Sequence, residues 1–162
     1  VSSLLEKMHE SDLKLDLIGF NAAISAYGEG QQWKLAQSML HKMRESKVEP
    51  DVISFNAAIS ACANSMQVQH AFFLLRELRM EGLEPNVISF NAAMAACAKG
   101  GDWQSALLLI EDIRVVSLKP DLISFKTAIS ACADVQQWQH ILSLLQEMST
   151  LGTEPDRWCY IR

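Results

Sequence analysis

The sequence predicts an all-α fold, a solenoid of stacked helix-turn-helix repeats. Three observations carry that prediction. Pro50, Pro85, Pro120 and Pro155 stand 35 residues apart, and even punctuation over most of a chain marks a repeat protein. The segments LIGFNAAISAYG, VISFNAAISACA, VISFNAAMAACA and LISFKTAISACA recur at the same interval. The 162 residues include only seven glycines and four prolines, too few turn formers for an all-β domain of this length. A hydrophobic share of 49% excludes a disordered tail. No apolar run approaches the ~20 residues of a membrane span. No basic stretch followed by an apolar one opens the chain, so no signal peptide is read.

Closing each repeat one residue after its proline divides the chain. Residues 17–51, 52–86, 87–121 and 122–156 are four repeats. Each opens with an Ala-rich stretch of about three helical turns. Phe20, Ile24 and Tyr27 share one face of it, as do Phe55, Ile59 and Cys62 in the next repeat. A polar break follows, then a second apolar-periodic stretch. In the second repeat it runs from about Val68 to about Met80, with Phe72, Leu74, Leu75 and Leu78 at helical spacing. The proline is expected to stop that helix, since it lacks an N–H and clashes with the turn before it. The unit is therefore two short antiparallel helices. One pair cannot bury its apolar face alone, whereas stacked pairs share a continuous core along a superhelix.

The remainders read as broken repeats. Residues 1–16 match the second helix of a preceding repeat, with Leu4, Leu5 and Met8 in register, Leu15 in the proline's place and Asp16 as its last residue. Residues 157–162 match the start of a following repeat, with Tyr160 where the others have Phe. Neither end reads as the polar cap a solenoid needs, so a segment of a longer array is expected.

The net charge of −5 is the main composition argument against a nucleic-acid partner, because phosphate binding normally uses Lys and Arg. Cys62, Cys97 and Cys132 share one place in successive repeats, Cys159 stands apart, and none forms a Cys-x-x-Cys pair. Zinc or disulfide chemistry would need clustered ligands. The thiols read as small core residues, suited to a reducing compartment.

The 35-residue period, the VISFNAAISACA segment and the closing LEPN and LKPD resemble the pentatricopeptide repeat, of the uniform-length type. The match spans essentially the whole chain. The tetratricopeptide repeat has a 34-residue period and a different Trp, Leu, Gly and Tyr pattern, which four prolines at 35 do not fit. The resemblance implies a sequence-selective binder of single-stranded RNA, reading one base per repeat from 5′ to 3′. It implies that the fifth residues, Asn21, Asn56, Asn91 and Lys126, read bases with the last residues, Asp51, Asn86, Asp121 and Asp156. The second residues, Ile18, Ile53, Ile88 and Ile123, are implied to pack against the bases. It further implies a mitochondrial or plastid location, a role in processing, stabilisation, editing or translation of transcripts, and recruitment of other RNA-processing proteins.

The chemistry of those residues points the same way. An ionised Asp only accepts hydrogen bonds, so it suits U or G, whose Watson–Crick edges carry a ring N–H. Asn also donates and can face the bare ring nitrogen of C or A. A fairly large Asn beside it leaves more room for a pyrimidine. The first three repeats then read U, C or U, and U. Lys126 with Asp156 is not a usual pair; a salt bridge or a phosphate contact are both open, and that repeat receives no base.

Each of these residues has a structural alternative. Asp or Asn before a helix is also a preferred N-cap, and the Ile positions could be core. Asn is a mediocre helix former, so its recurrence at three first turns asks for a use. Trp33, Trp103 and Trp138 share a phase where Val68 also occurs, which favours packing over base stacking. His9, His41, His70 and His140 have no partner at metal spacing. At the end of the first helix, where the family often has a phosphate-binding Lys or Arg, only Lys99 fits; Glu29, Asn64 and Asp134 stand there otherwise. Stacking on three bases at roughly 2 kcal/mol each gives about 6 kcal/mol, short of the ~8 of micromolar affinity. Weak binding by this segment alone is expected. A protein-interaction scaffold using the concave face remains the alternative. No catalytic residue, metal site, cofactor or small-molecule substrate is read, because no nucleophile–base pair, ligand cluster or glycine-rich phosphate loop occurs.

Overall fold

The computed structural model describes residues 15–160. The readings of Leu4, Leu5, Met8 and His9 lie outside the described residues. Eight α-helices run through the described part, with no strand among the described residues. They are α1 Leu17–Glu29, α2 Trp33–Glu45, α3 Val52–Asn64, α4 Val68–Met80, α5 Val87–Lys99, α6 Trp103–Val115, α7 Leu122–Asp134 and α8 Trp138–Thr150. A short 3-10 turn at Arg157–Tyr160 follows. Every α-helix has 13 residues, so each is about 20 Å long.

The helices form two layers. The first helices, α1, α3, α5 and α7, pack side by side in one row. The second helices lie behind them, each on its own first helix, and α2, α4 and α6 also pack on the next one. This is the α-solenoid expected from the period. Its core is the repeat's apolar stripe copied along the row. Phe20, Phe55, Phe90 and Phe125 are buried, as are Ile24, Ile59, Met94 and Ile129 at the next turn. Leu40, Leu75 and Ile110 meet them from the second layer. Each such side chain contributes roughly 1.5–3 kcal/mol on burial, but only while its neighbour repeat is there to cover it.

Cys62, Cys97 and Cys132 are wholly buried free thiols, which is the packing role expected of them. Burial pushes the Cys62 thiol up to about 11 and the Cys97 thiol up to about 12. No group of residues suited to a metal ion occurs among the described residues.

One expectation is corrected. The prolines do not end the second helices. Those helices stop at Glu45, Met80, Val115 and Thr150, five residues before each proline. A left-handed residue ends them instead: Lys47, Gly82, Ser117 and Gly152 have φ between 59° and 75°. There the N–H of Val48 reaches Met43 O at 2.9 Å and that of Lys47 reaches Arg44 O at 3.0 Å, with equivalent bonds in each later repeat. This is the Schellman pattern, which satisfies the last carbonyls before any proline is reached. Val48, Leu83 and Leu118 then fold back onto the core. Pro50, Pro85 and Pro120 are buried just before the next helix, where a fixed φ and a missing N–H shape the approach of the chain.

Most of the charge among the described residues falls on the second helices and the loops. Arg44 of α2 bonds Glu77 of α4 at 2.9 Å and also Glu81. Arg114 of α6 bonds Glu111 at 2.6 Å and Glu147 of α8. Such half-exposed pairs contribute at most about 1 kcal/mol each. Trp33 and Trp103 also lie in this layer, half-buried, with ring centroids 4.1 Å from His70 and 5.0 Å from His140. Those two contacts are packing between repeats, as expected. Trp138, in the same place of the last repeat, is 62% exposed.

Candidate nucleic-acid interface

The last residues of the first three repeats, Asp51, Asn86 and Asp121, are the N-caps of the first helices that follow, and Asp16 caps α1 in the same way. Their backbone is extended, so each side chain can fold over the open end of its helix. Asp16 Oδ1 accepts from the Gly19 N–H at 2.8 Å. Asp51 Oδ1 accepts from Ser54 N–H at 2.8 Å, Asn86 Oδ1 from Ser89 N–H at 3.0 Å and Asp121 Oδ1 from Ser124 N–H at 2.8 Å. In return the serine hydroxyl accepts from the cap's own N–H, at 3.2, 3.1 and 3.1 Å. These are reciprocal capping boxes. The capping alternative raised from sequence is therefore real for Asp51, Asn86 and Asp121.

Capping does not use these side chains up. The fifth residue, which lies on the second turn of its own helix rather than on the first turn as expected, reaches across to the same group 30 residues later. Asn21 Nδ2 donates to Asp51 Oδ1 at 3.4 Å, Asn56 Nδ2 to Asn86 Oδ1 at 3.3 Å and Asn91 Nδ2 to Asp121 Oδ1 at 3.0 Å. Lys126 Nζ donates to Asp156 Oδ2 at 2.7 Å, the salt bridge that was one of its two open readings. The fold thus brings together all four pairs singled out from sequence. They stand in a row because α1, α3, α5 and α7 stand in a row.

The two members of a pair differ in openness. Asn56 and Asn91 are 9% and 8% exposed, whereas Asn86 and Asp121 are exposed and Asp51 is half-buried. The last residue presents the broader surface, and the fifth presents one edge of its amide. Ile18, Ile53, Ile88 and Ile123 are 60–77% exposed. That removes the core alternative for them: four branched apolar side chains face outward on the first turns. In the chain, Ile53 comes between Asp51 of one pair and Asn56 of the next, and Ile88 and Ile123 repeat the arrangement.

Partial burial acts to raise the Asp51 and Asp121 carboxyls. Hydrogen bonds from Ser54 and Asn21 to the one, and from Ser124 and Asn91 to the other, outweigh it, so both sit below the ordinary 3.8. The Lys126 hydrogen bond likewise lowers Asp156. Lowered in this way, the three carboxyls are ionised, fixed acceptors at any pH above their ordinary value of 3.8.

Lys99 lies at the exposed end of α5 and donates to Asn64 Oδ1 of the preceding repeat at 2.8 Å. Eight residues separate it from Asn91, about 12 Å along the helix. Glu29, Lys99, Lys126 and Asp134 are the charged residues of the four first helices, so this layer is nearly uncharged. Ser54, Ser89 and Ser124 were not singled out from sequence. They are fully buried beneath the pairs. The signal was present, since a cap followed three residues on by a polar side chain is a capping-box spacing. An apolar groove between α6 and α8, lined by Trp103, Leu107, Leu108, His140 and Leu144, belongs to the second-helix layer.

Comparison with known proteins agrees with the fold. A family model described as pentatricopeptide repeat domain matches residues 3–65, one described as PPR repeat family matches 50–99, and one described as PPR repeat matches 88–116. No curated protein matches the chain. Among solved structures, the pentatricopeptide repeat protein PPR10 from maize superposes with a TM-score of 0.83 at 19% identity. PPR10 in complex with an 18-nt psaJ RNA element superposes with 0.88 at 18% identity. Each covers 98% of this chain, which spans 23% of the PPR10 chain. The PPR domain of Arabidopsis thaliana protein-only RNase P 1, in complex with tRNA, gives 0.78 at 14% identity, covering 98% of this chain and 83% of that one. At these identities the likenesses show the fold.

Proposed function

The chain belongs to the pentatricopeptide repeat family, and from that premise we propose that it binds single-stranded RNA selectively, one base per repeat. The observation that carries the reading is the row of hydrogen-bonded pairs, each flanked by an exposed Ile. Single strands expose base edges and faces together, and the row offers a polar group for the edge and an apolar wedge for the face. The Asn–Asp pairs of the first and third repeats suit U, and the Asn56–Asn86 pair suits C or U. The Lys126–Asp156 pair satisfies itself and is assigned no base. Branched side chains between bases tolerate any base, so Ile18, Ile53, Ile88 and Ile123 add affinity rather than selectivity. In this reading Lys99 meets phosphate when RNA displaces Asn64. The chain acts as a binder rather than a catalyst, on transcripts of a mitochondrion or plastid, by covering them or by bringing other RNA-processing proteins to them.

A base swap at one pair tests this. Asn21→Thr, with Asp51 kept, makes room for a purine while leaving an acceptor for a ring N–H. Binding to short single-stranded RNAs that differ at one base should shift from U towards G at that base alone. Absence of binding to any pyrimidine-rich RNA at low salt would favour the scaffold reading.

A further inference from the structure

Beneath each of the first three reading pairs sits a hydroxyl with a single proton, and the repeats differ in which acceptors that hydroxyl can reach. Ser54 Oγ lies 2.6 Å from Asn21 Oδ1 and 2.9 Å from Asp51 Oδ1. Ser124 Oγ lies 2.7 Å from Asn91 Oδ1 and 2.9 Å from Asp121 Oδ1. One hydroxyl donates once, and in both cases the shorter contact is to the Asn. In the second repeat Ser89 Oγ instead lies 3.1 Å from Asn86 Oδ1, and the buried Asn56 Oδ1 has no hydrogen-bond partner. In the fourth the corresponding residue is Cys159, whose weak thiol donor lies 3.4 Å from Asp156 Oδ1. The fifth residue there is Lys126, which has no acceptor for a hydroxyl to serve. Ser thus accompanies Asn, and Cys accompanies Lys.

We propose that Ser124 and Ser54 are positioning residues for base reading, orienting the fifth-residue amide of the preceding repeat. This rests on the RNA reading above. When the serine proton is on Asn91 Oδ1, both ends of the amide are held. Its oxygen faces the serine, one Nδ2 hydrogen faces Asp121, and the other points outward. The outward pattern is then an N–H beside the free carboxylate oxygen. That matches a carbonyl beside a ring N–H, the edge of uracil. In the second repeat Ser89 serves the cap instead. Asn86 keeps its Nδ2 hydrogens for an acceptor, which suits the ring nitrogen of cytosine. Asn56 Oδ1 is buried without a donor, so it meets no base, and that amide is held at its Nδ2 end alone. The difference between the repeats then lies in the direction of one hydroxyl as well as in Asp against Asn.

The test uses the 162-residue chain and short single-stranded RNAs carrying U or C opposite the third repeat or opposite the second. Affinities are measured by titration at low salt. The wild-type chain should prefer U to C at the third position by about fivefold or more, the lower range for a two-bond match. Ser124→Ala should bring that ratio to within about twofold, since it removes one hydrogen bond's worth of orientation. The ratio at the second position should stay unchanged. Ser124→Cys has the side chain already found at Cys159 and should also weaken the third ratio, and it decides the matter if Ser124→Ala does not fold. A full U preference in the Ser124 variants would overturn the positioning role while base reading stands. A wild-type chain with no preference between U and C at the third position would overturn base reading itself, and this inference with it.

Discussion

A carboxylate that caps a helix and accepts an amide hydrogen from the neighbouring repeat is held ionised by its own scaffold. Asp51 and Asp121 each accept a backbone N–H and an amide hydrogen through Oδ1, with a serine hydroxyl within reach. Their depressed folded values fix the sign of the pH response. Stability from a carboxyl held below its unfolded value is fully present above that value, near 3.8. It is lost as pH falls through the folded value. The U-over-C ratio at the first and third repeats should therefore be flat between about pH 5 and 7.5. Thermal stability should fall only below about pH 4, and less steeply in an Asp51→Asn, Asp121→Asn double variant. A base preference that already decays between those two upper pH values would remove the carboxylates from the reading pair. At this scale the sequence shows candidates but not their company. Asn21 and Asp51 are identifiable as polar residues in odd places, while Ser54 has the composition of an ordinary helix start.

The helix is the unit in which the sequence is most legible. The expected stretch from Val68 to Met80 has the observed bounds of α4, because apolar spacing and burial are the same fact read twice. The ends were less legible. A proline is conspicuous, so it draws the eye as the stop. The chain stops three residues earlier at a left-handed residue, and that residue need not be glycine. Lys47 and Ser117 adopt it with φ of 59° and 60° where the other two repeats have Gly82 and Gly152. A left-handed L-residue costs roughly 1–2 kcal/mol, and glycine gives back up to ~1 in unfolded-chain entropy. Lys47→Gly and Ser117→Gly should each stabilise the protein by about 0.5–1 kcal/mol in urea melts. Both side chains are exposed, so no packing is lost. Destabilisation by either change would mean that the side chain makes a contribution the turn geometry does not account for.

Among the described residues Arg44, Arg114 and their glutamates tie second helices together. The first helices carry only two cations, Lys99 and Lys126, and the repeat-ending Asp51, Asp121 and Asp156 add carboxylates to that row. Binding through that row should depend weakly on salt. One or two phosphate contacts, at about −0.7 each for single strands, give a log–log slope near −0.7 to −1.4. A slope steeper than about −3 in titrations from low to moderate salt would place the RNA on another, basic surface. The modest stacking energy of so few bases fits the same picture, since there is little electrostatic attraction to add to it.

The period, the two helices per repeat and the stripe that becomes core were determined by sequence, because each depends on spacing within one 35-residue unit, and spacing is what a sequence records. The pair-forming residues were named by the family resemblance. Tertiary packing decided the rest. It brought residue 21 to residue 51 and residue 91 to residue 121, left the Ile residues facing out, and showed that a cap can pair across repeats while still capping. It also set each serine hydroxyl against its acceptors, at 2.6 and 2.7 Å from Asn21 and Asn91 but out of reach of Asn56. Those distances lie between side chains of neighbouring helices, and only the stacking of one repeat on the next sets them.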